Sequence, residues 1–98
     1  MKVLVRFYAN LREFMGKKTL ELEVEEGTTF EGLLNQIPEL RRKLVAEDGR
    51  LQDNVSSLIN GRNIRFLNGL KTEIKDGDIV AMFSPAAGGL SEGTYTAS

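Results

Sequence analysis

Apolar and polar residues alternate most regularly at Leu20-Glu21-Leu22-Glu23-Val24-Glu25, with three apolar side chains to one side and three carboxylates to the other. That is the pattern of a strand with one wet face. Residues 2–8 repeat it, with Val3, Val5 and Phe7 on one face and Arg6 on the other. The two segments 2–8 and 18–25 are predicted to pair as an antiparallel hairpin. Residues 10–16 read as a connection, with Leu11, Phe14 and Met15 tucked beneath it. After Glu26-Gly27 the period changes. Thr28 and Glu31 have the spacing of a capping box. Phe30, Leu33, Leu34 and Ile37 then recur at i, i+3, i+4, i+7, the apolar stripe of a helix. Pro38 closes that helix or opens a second, shorter one carrying Leu40 and Leu44, and Asp48-Gly49 stops it.

Strand signals return in the second half. Residues 55–59 form a third strand, and Asn60-Gly61 is the preferred pair for a tight hairpin turn. Residues 62–67 continue as a strand, Asn68-Gly69 and Asp76-Gly77-Asp78 turn the chain, and residues 79–83 make a last apolar strand. The order β-β-α-(α)-β-β-β predicts an α+β fold, a mixed sheet with one main helix packed on one face. Residues 84–98 have no period and few apolar side chains, as in a flexible tail. The expected organisation is a domain over 1–84, a Gly-Gly tail over 85–89 and an extension over 90–98.

Composition narrows the chemistry. A chain of 98 residues that is 41% hydrophobic can build one core without metals or disulfides. Lys+Arg number 13 and Asp+Glu 14, a net charge of -1, which argues against binding nucleic acid or an anionic membrane by bulk charge. The chain has no Cys and no His. That excludes thiolate nucleophiles, cysteine metal sites, a Ser-His-Asp triad and an imidazole base. No apolar run reaches the ~18–20 residues of a membrane span, and residues 1–6 lack a secretory h-region. The expected compartment is the cytoplasm.

The remaining polar clusters have ordinary readings. Glu21, Glu23, Glu25 and Glu26 are a solvated strand face, and no metal site is expected. Asp76 and Asp78 are turn residues, without the further ligands of a calcium loop. Arg41-Arg42-Lys43 is an exposed helix face with no stacking aromatics beside it. Asn54-Val55-Ser56 matches a glycosylation sequon that matters only in a secreted protein. Ser56, Ser57 and Ser84 have no histidine to activate them. What is left is Gly88-Gly89. A paired glycine reads as a linker, or as a slim main-chain carboxylate that can thread a narrow channel, with Pro85 stiffening its base. The second reading explains how a chain without Cys or His takes part in catalysis.

In order along the chain, "LINGRNIRF", "LNGL" at 67–70, "IKDGDIVAMF" at 74–83 and "SPAAGG" at 84–89 resemble the MoaD/ThiS sulfur carriers, most nearly the MoaD-like branch with its Pro-Pro-Val-Ala-Gly-Gly ending. The resemblance spans about 89 of the 98 residues. It implies a ubiquitin-like β-grasp. It implies that a ubiquitin-activating-like enzyme adenylates the carboxylate of Gly89, using its own ATP and magnesium, and that a sulfur donor converts the product to a thiocarboxylate. No cofactor is then bound by this chain itself. In the molybdopterin branch the partner is the synthase large subunit, with the carrier's tail in its active site. Such carriers dock through the open sheet face and the segment leading to the tail, which makes Phe66, Leu67, Met82 and Phe83 candidate docking residues. Met82 and Phe83 are adjacent, so at most one of them points inward.

Two departures from the family pattern stand out. Ser84 replaces a frequent first proline, and nine residues follow Gly89, so its carbonyl is an amide as written. A processing protease that removes residues 90–98 is the first explanation. A cloning remnant is the second, and a chain that has left the chemistry is the third. A ubiquitin-like modifier joined through Gly89 to lysines, and a non-catalytic β-grasp interaction module, are the alternative functions.

Overall fold

Residues 2–23 fold as the hairpin that the alternation predicts, in a computed structural model that describes residues 1–53 and 55–83. Asn54 of the sequon, and Ser84, Pro85, Gly88, Gly89 and the rest of 84–98, lie outside the described residues. Strand β1 (Lys2–Phe7) pairs antiparallel with β2 (Thr19–Glu23), Lys2 opposite Glu23 and Arg6 opposite Thr19. Val3, Val5 and Phe7 are buried, as the period of two requires. The N-terminal ammonium extends the pairing, donating to the Val24 carbonyl at 2.7 Å.

The segment read as a plain connection contains a helix, α1 (Asn10–Met15), ended by Gly16 in the left-handed region at φ 72. Leu11 is buried as expected, but Phe14 is 46% exposed. Three residues of helix carry Phe14 about 60° round from Leu11, toward the rim. There the Lys43 ammonium lies 4.8 Å from its ring centroid.

Helix α2 (Phe30–Asn35) starts one residue later than the capping box implied. Thr29 is the cap, its Oγ1 accepting from the Gly32 N–H at 3.1 Å. The Thr28 hydroxyl instead donates to the Glu25 carbonyl at 2.6 Å and closes the turn after β2. Helix α3 (Pro38–Leu44) follows at once, with Pro38 in its first turn, where a missing N–H costs nothing. The predicted stripe is buried: Phe30, Leu33, Leu34 and Ile37, then Leu40 and Leu44.

Strand β3 (Ser56–Ile59) turns through Asn60 at φ 52 and Gly61 at φ 84 into β4 (Arg62–Asn63). Both positive angles are what a primed hairpin turn needs. The expected strand over 62–67 stops after two residues. The Asn63 Oδ1 accepts from the Arg65 N–H at 2.9 Å and bends the chain into a 3₁₀ turn, Ile64–Phe66, which drops Ile64 into the core. Asn68-Gly69, read as a simple turn, leads into a second 3₁₀ turn, Gly69–Lys71. Strand β5 (Ile79–Phe83) then enters the middle of the sheet.

The sheet order is β2-β1-β5-β3-β4, with β5 parallel to β1 and antiparallel to β3. This is the mixed β-grasp sheet expected above. The helices cover one face, where Val3, Val5, Phe7, Val80 and Met82 are buried with the helix stripe. No described element covers the other face.

Candidate functional site: the open sheet face at the root of the tail

Strand β5 is the rail from which the tail departs, and alternation decides what it shows on each side. Val80 and Met82 point into the core and are fully buried. Ile79, Ala81 and Phe83 therefore point out. Met82 is thus a core residue, not a docking residue: it lies opposite the buried Ser57 and beside Phe7, so its side chain faces the helices. Phe83 is the member of the adjacent pair that reaches the open face.

The neighbouring strands complete a strip around β5. The parallel register sets Leu4 beside Ile79 and Arg6 beside Ala81, and β3 sets Leu58 beside Ala81. Leu4 and Leu58 are half-buried and Ile79 is 38% exposed. Apolar side chains that no described element covers form a surface fit to lose water against a partner. Sequence reading missed Leu4, Leu58, Ile79 and Ala81. The signal was available: if Phe83 points out, so do Ala81 and Ile79.

Both ends of β5 are held. At its start, Asn60 and Asp78 lock the β3–β4 turn to the strand. The Asn60 Nδ2 donates to Asp78 Oδ1 at 2.8 Å, and its Oδ1 accepts from the Ile79 N–H at 2.9 Å. Asp78 Oδ2 also accepts from the Lys75 N–H at 2.8 Å, and the residue is buried. Asp78 is therefore a structural hub as well as a turn residue. Lys75 itself is solvent-exposed; its hydrogen bond to Glu73 at 2.9 Å raises its pKa above the ordinary lysine value. At the other end, Phe83 stacks on Tyr8 with centroids 4.7 Å apart and planes 9° from parallel, a geometry that restricts the ring. The Arg12 guanidinium lies 6.0 Å from the Tyr8 centroid. The last described residue before the tail is thus clamped, and Tyr8, which sequence reading did not single out, is part of the clamp.

The other predicted docking residues sit elsewhere. Phe66 is 87% exposed and Leu67 half-buried, both at the β4 margin, with β3 between them and β5. Pro85, Gly88 and Gly89 lie outside the described residues. Among the described residues no group of three or more carboxylates is placed to hold a metal ion, and no helix is long and apolar enough to cross a membrane. The arrangement presents an apolar strip leading to the tail's root, with Arg6 and Arg12 at that end.

Comparison with known proteins fits this geometry. The family model described as "ThiS family" matches residues 5–89. The chain is 36% identical over 93 residues to Small archaeal modifier protein 3 of Haloferax volcanii, covering 91% of this chain and all of the relative. It is 35% identical over 92 residues to a putative sulfur carrier protein of Archaeoglobus fulgidus, again covering 91% of this chain and all of the relative. Among solved structures, SAMP1 from Haloferax volcanii superposes with a TM-score of 0.77 at 27% identity, covering 91% of this chain and 100% of that one. A putative molybdopterin converting factor, subunit 1, from Pyrococcus furiosus gives 0.67 at 30%, covering 88% and 99%. The Amycolatopsis orientalis BexX/CysO complex gives 0.69 at 29%, covering 89% and 99%.

Proposed function

Because this chain belongs to the ThiS family, a family of ubiquitin-like sulfur carriers, we propose that Gly89 is its acyl-transfer residue and that molybdopterin biosynthesis is where its sulfur goes. The observation that carries this reading is that the family match ends on Gly89, directly after Gly88. The Pyrococcus furiosus structure, described as a putative molybdopterin converting factor subunit, supports the destination.

The chemistry follows from the main chain alone. Residues 90–98 are first removed by a processing protease, which frees the Gly89 carboxylate. That carboxylate attacks the α-phosphorus of ATP in a ubiquitin-activating-like partner, and pyrophosphate leaves with magnesium stabilising its charge. The acyl adenylate is electrophilic. A hydrosulfide-equivalent donor attacks its carbonyl carbon, AMP leaves, and a thiocarboxylate remains. Gly88 and Gly89, lacking Cβ, fit a channel too narrow for other residues, and the fixed φ of Pro85 stiffens the segment before them. Ile79, Ala81 and Phe83 form the surface that docks first on the adenylating enzyme, then on a molybdopterin synthase large subunit.

ATP–pyrophosphate exchange with the adenylating enzyme tests this. The chain ending at Gly89 should support exchange, and the 98-residue chain should not until it is cut. Deleting Gly89 should abolish exchange; unchanged exchange in that deletion overturns the proposal. The relative called Small archaeal modifier protein 3 favours one second reading, conjugation through Gly89 to target lysines. An isopeptide-linked Gly-Gly remnant on lysines of other proteins separates it from a carrier alone.

A further inference from the structure

The outer edge of β2 and the groove beneath it form a second surface, on the helix-bearing face of the sheet and so opposite Ile79, Ala81 and Phe83. Strand β2 ends the sheet, and among the described residues no strand pairs with its outer side. The Phe7 N–H donates to the Lys18 carbonyl, and the Val24 N–H to the Met1 carbonyl. By that parity residues 18, 20, 22 and 24 turn their backbone groups toward β1. Thr19, Glu21 and Glu23 therefore aim their N–H and C=O groups outward, where a further strand would sit.

Below that edge runs a groove of about 480 Å³, lined by Leu20 and Leu22 on the sheet side, Ile37 on the helix side and Phe14 with Met15 at one end. Leu20 and Leu22 are only half-buried although they lie on the core face. Charge along the edge is polarised. Lys17, on the groove wall, and Lys18 stand where β2 begins, with Lys43 over the Phe14 ring. Glu23, Glu25 and Glu26 stand where it ends. Glu39 is on the opposite wall.

We propose that this edge and groove bind an extended peptide from another protein by β-augmentation. The segment would pair with Thr19, Glu21 and Glu23, set two apolar side chains at alternate positions into the groove, and place acidic residues beside Lys17 and Lys18. Five residues of β2 offer a pairing length of roughly 17 Å. Charge favours this occupant over a second copy of the chain: antiparallel pairing of two β2 edges about Glu21 would set carboxylate against carboxylate on the outer face. The chain's own residues 90–98 fit poorly. Positions 90, 92 and 94 are Leu, Glu and Thr, and 91, 93 and 95 are Ser, Gly and Tyr, so neither set supplies two large apolar side chains at alternate positions. The site lies off the open face and does not depend on the Gly89 chemistry.

The test is a titration of the isotopically labelled 98-residue chain with a synthetic peptide, Asp-Glu-Asp-Ile-Val-Ile-Thr, followed by amide chemical shifts. Saturable shifts are expected at Thr19, Glu21 and Glu23 and at Phe14, with Ile79 and Ala81 unmoved. The exposed Phe14→Ala change should leave core resonances such as Leu33 in place and weaken binding about tenfold. Lys17→Glu should weaken it about threefold at low salt and much less at high salt. A peptide with both isoleucines replaced by serine should not bind. Shifts on Ile79 and Ala81 instead, or no saturable shift, overturn the proposal. So does a doubled mass for the free chain with β2 amides protected, which assigns the edge to a second copy. Movement of the β2 amides on removal of residues 84–98 assigns it to the chain's own tail and equally overturns the proposal.

Discussion

Ser57 is fully buried on the core side of β3, opposite Met82, and among the described residues its Oγ has no hydrogen-bond partner. A desolvated hydroxyl without a partner is a cost to the fold, on the order of 1 kcal/mol or more. Ser57→Ala removes the hydroxyl without adding volume. It should raise stability by about 1 kcal/mol, seen as a melting temperature higher by roughly 4–8 °C. An unchanged or lower melting temperature would mean that the hydroxyl is satisfied in solution. The same register separates Met82 from Phe83. Alternation in the sequence states that one of the two points inward, and only the pairing of Met82 with Ser57 and Phe7 decides which one.

Among the elements, β5 depends most on contacts distant in sequence. Asn60 and Asp78 are 18 residues apart and tie the β3–β4 turn to the start of the strand that carries the tail. Asp78→Ala would leave the Asn60 Nδ2 and the Lys75 N–H without their acceptor in a partly buried place. It should cost about 2 kcal/mol, read as a lower urea midpoint with an unchanged slope. A midpoint equal to the parent's would show that the lock contributes nothing. The strands and the helix stripe were legible because burial repeats with the period of the element: Val3, Val5 and Phe7 by twos, Phe30, Leu33, Leu34 and Ile37 by helical turns. Helix α1 was not, because no side chain caps its start, Ala9 standing at the cap, and the apolar spacing of Leu11, Phe14 and Met15 covers little more than one turn and is not continued by a second helix. The bend after Asn63 was not either, since it comes from one side-chain oxygen capping a 3₁₀ turn, which hydrophobic pattern does not record.

On the scale of the whole molecule, the sheet divides the surface in two. One face meets α2 and α3 and closes the core; the other is open and leads to the tail. Among the described residues the buried core runs from Val3 to Met82, and residues 84–98 carry few apolar side chains that could add to it. Removing residues 84–98 should leave the melting temperature within about 3 °C of the full chain. A larger drop would show that the tail packs on the domain.

The amino-acid sequence by itself determined the strand periods, the helix stripe, the primed turn at Asn60-Gly61 and the lack of any Cys or His side chain to react. These are local, carried by residues a few positions apart. Only the tertiary structure decided which face of β5 the helices cover, that Phe83 is clamped by Tyr8, that Asp78 is a hub, and that β2 is left at an edge. Each of these depends on which strands become neighbours. A period of two defines two faces of a strand without stating which is buried, and the choice is made only when strands far apart in sequence pair and the helices fold down on one side.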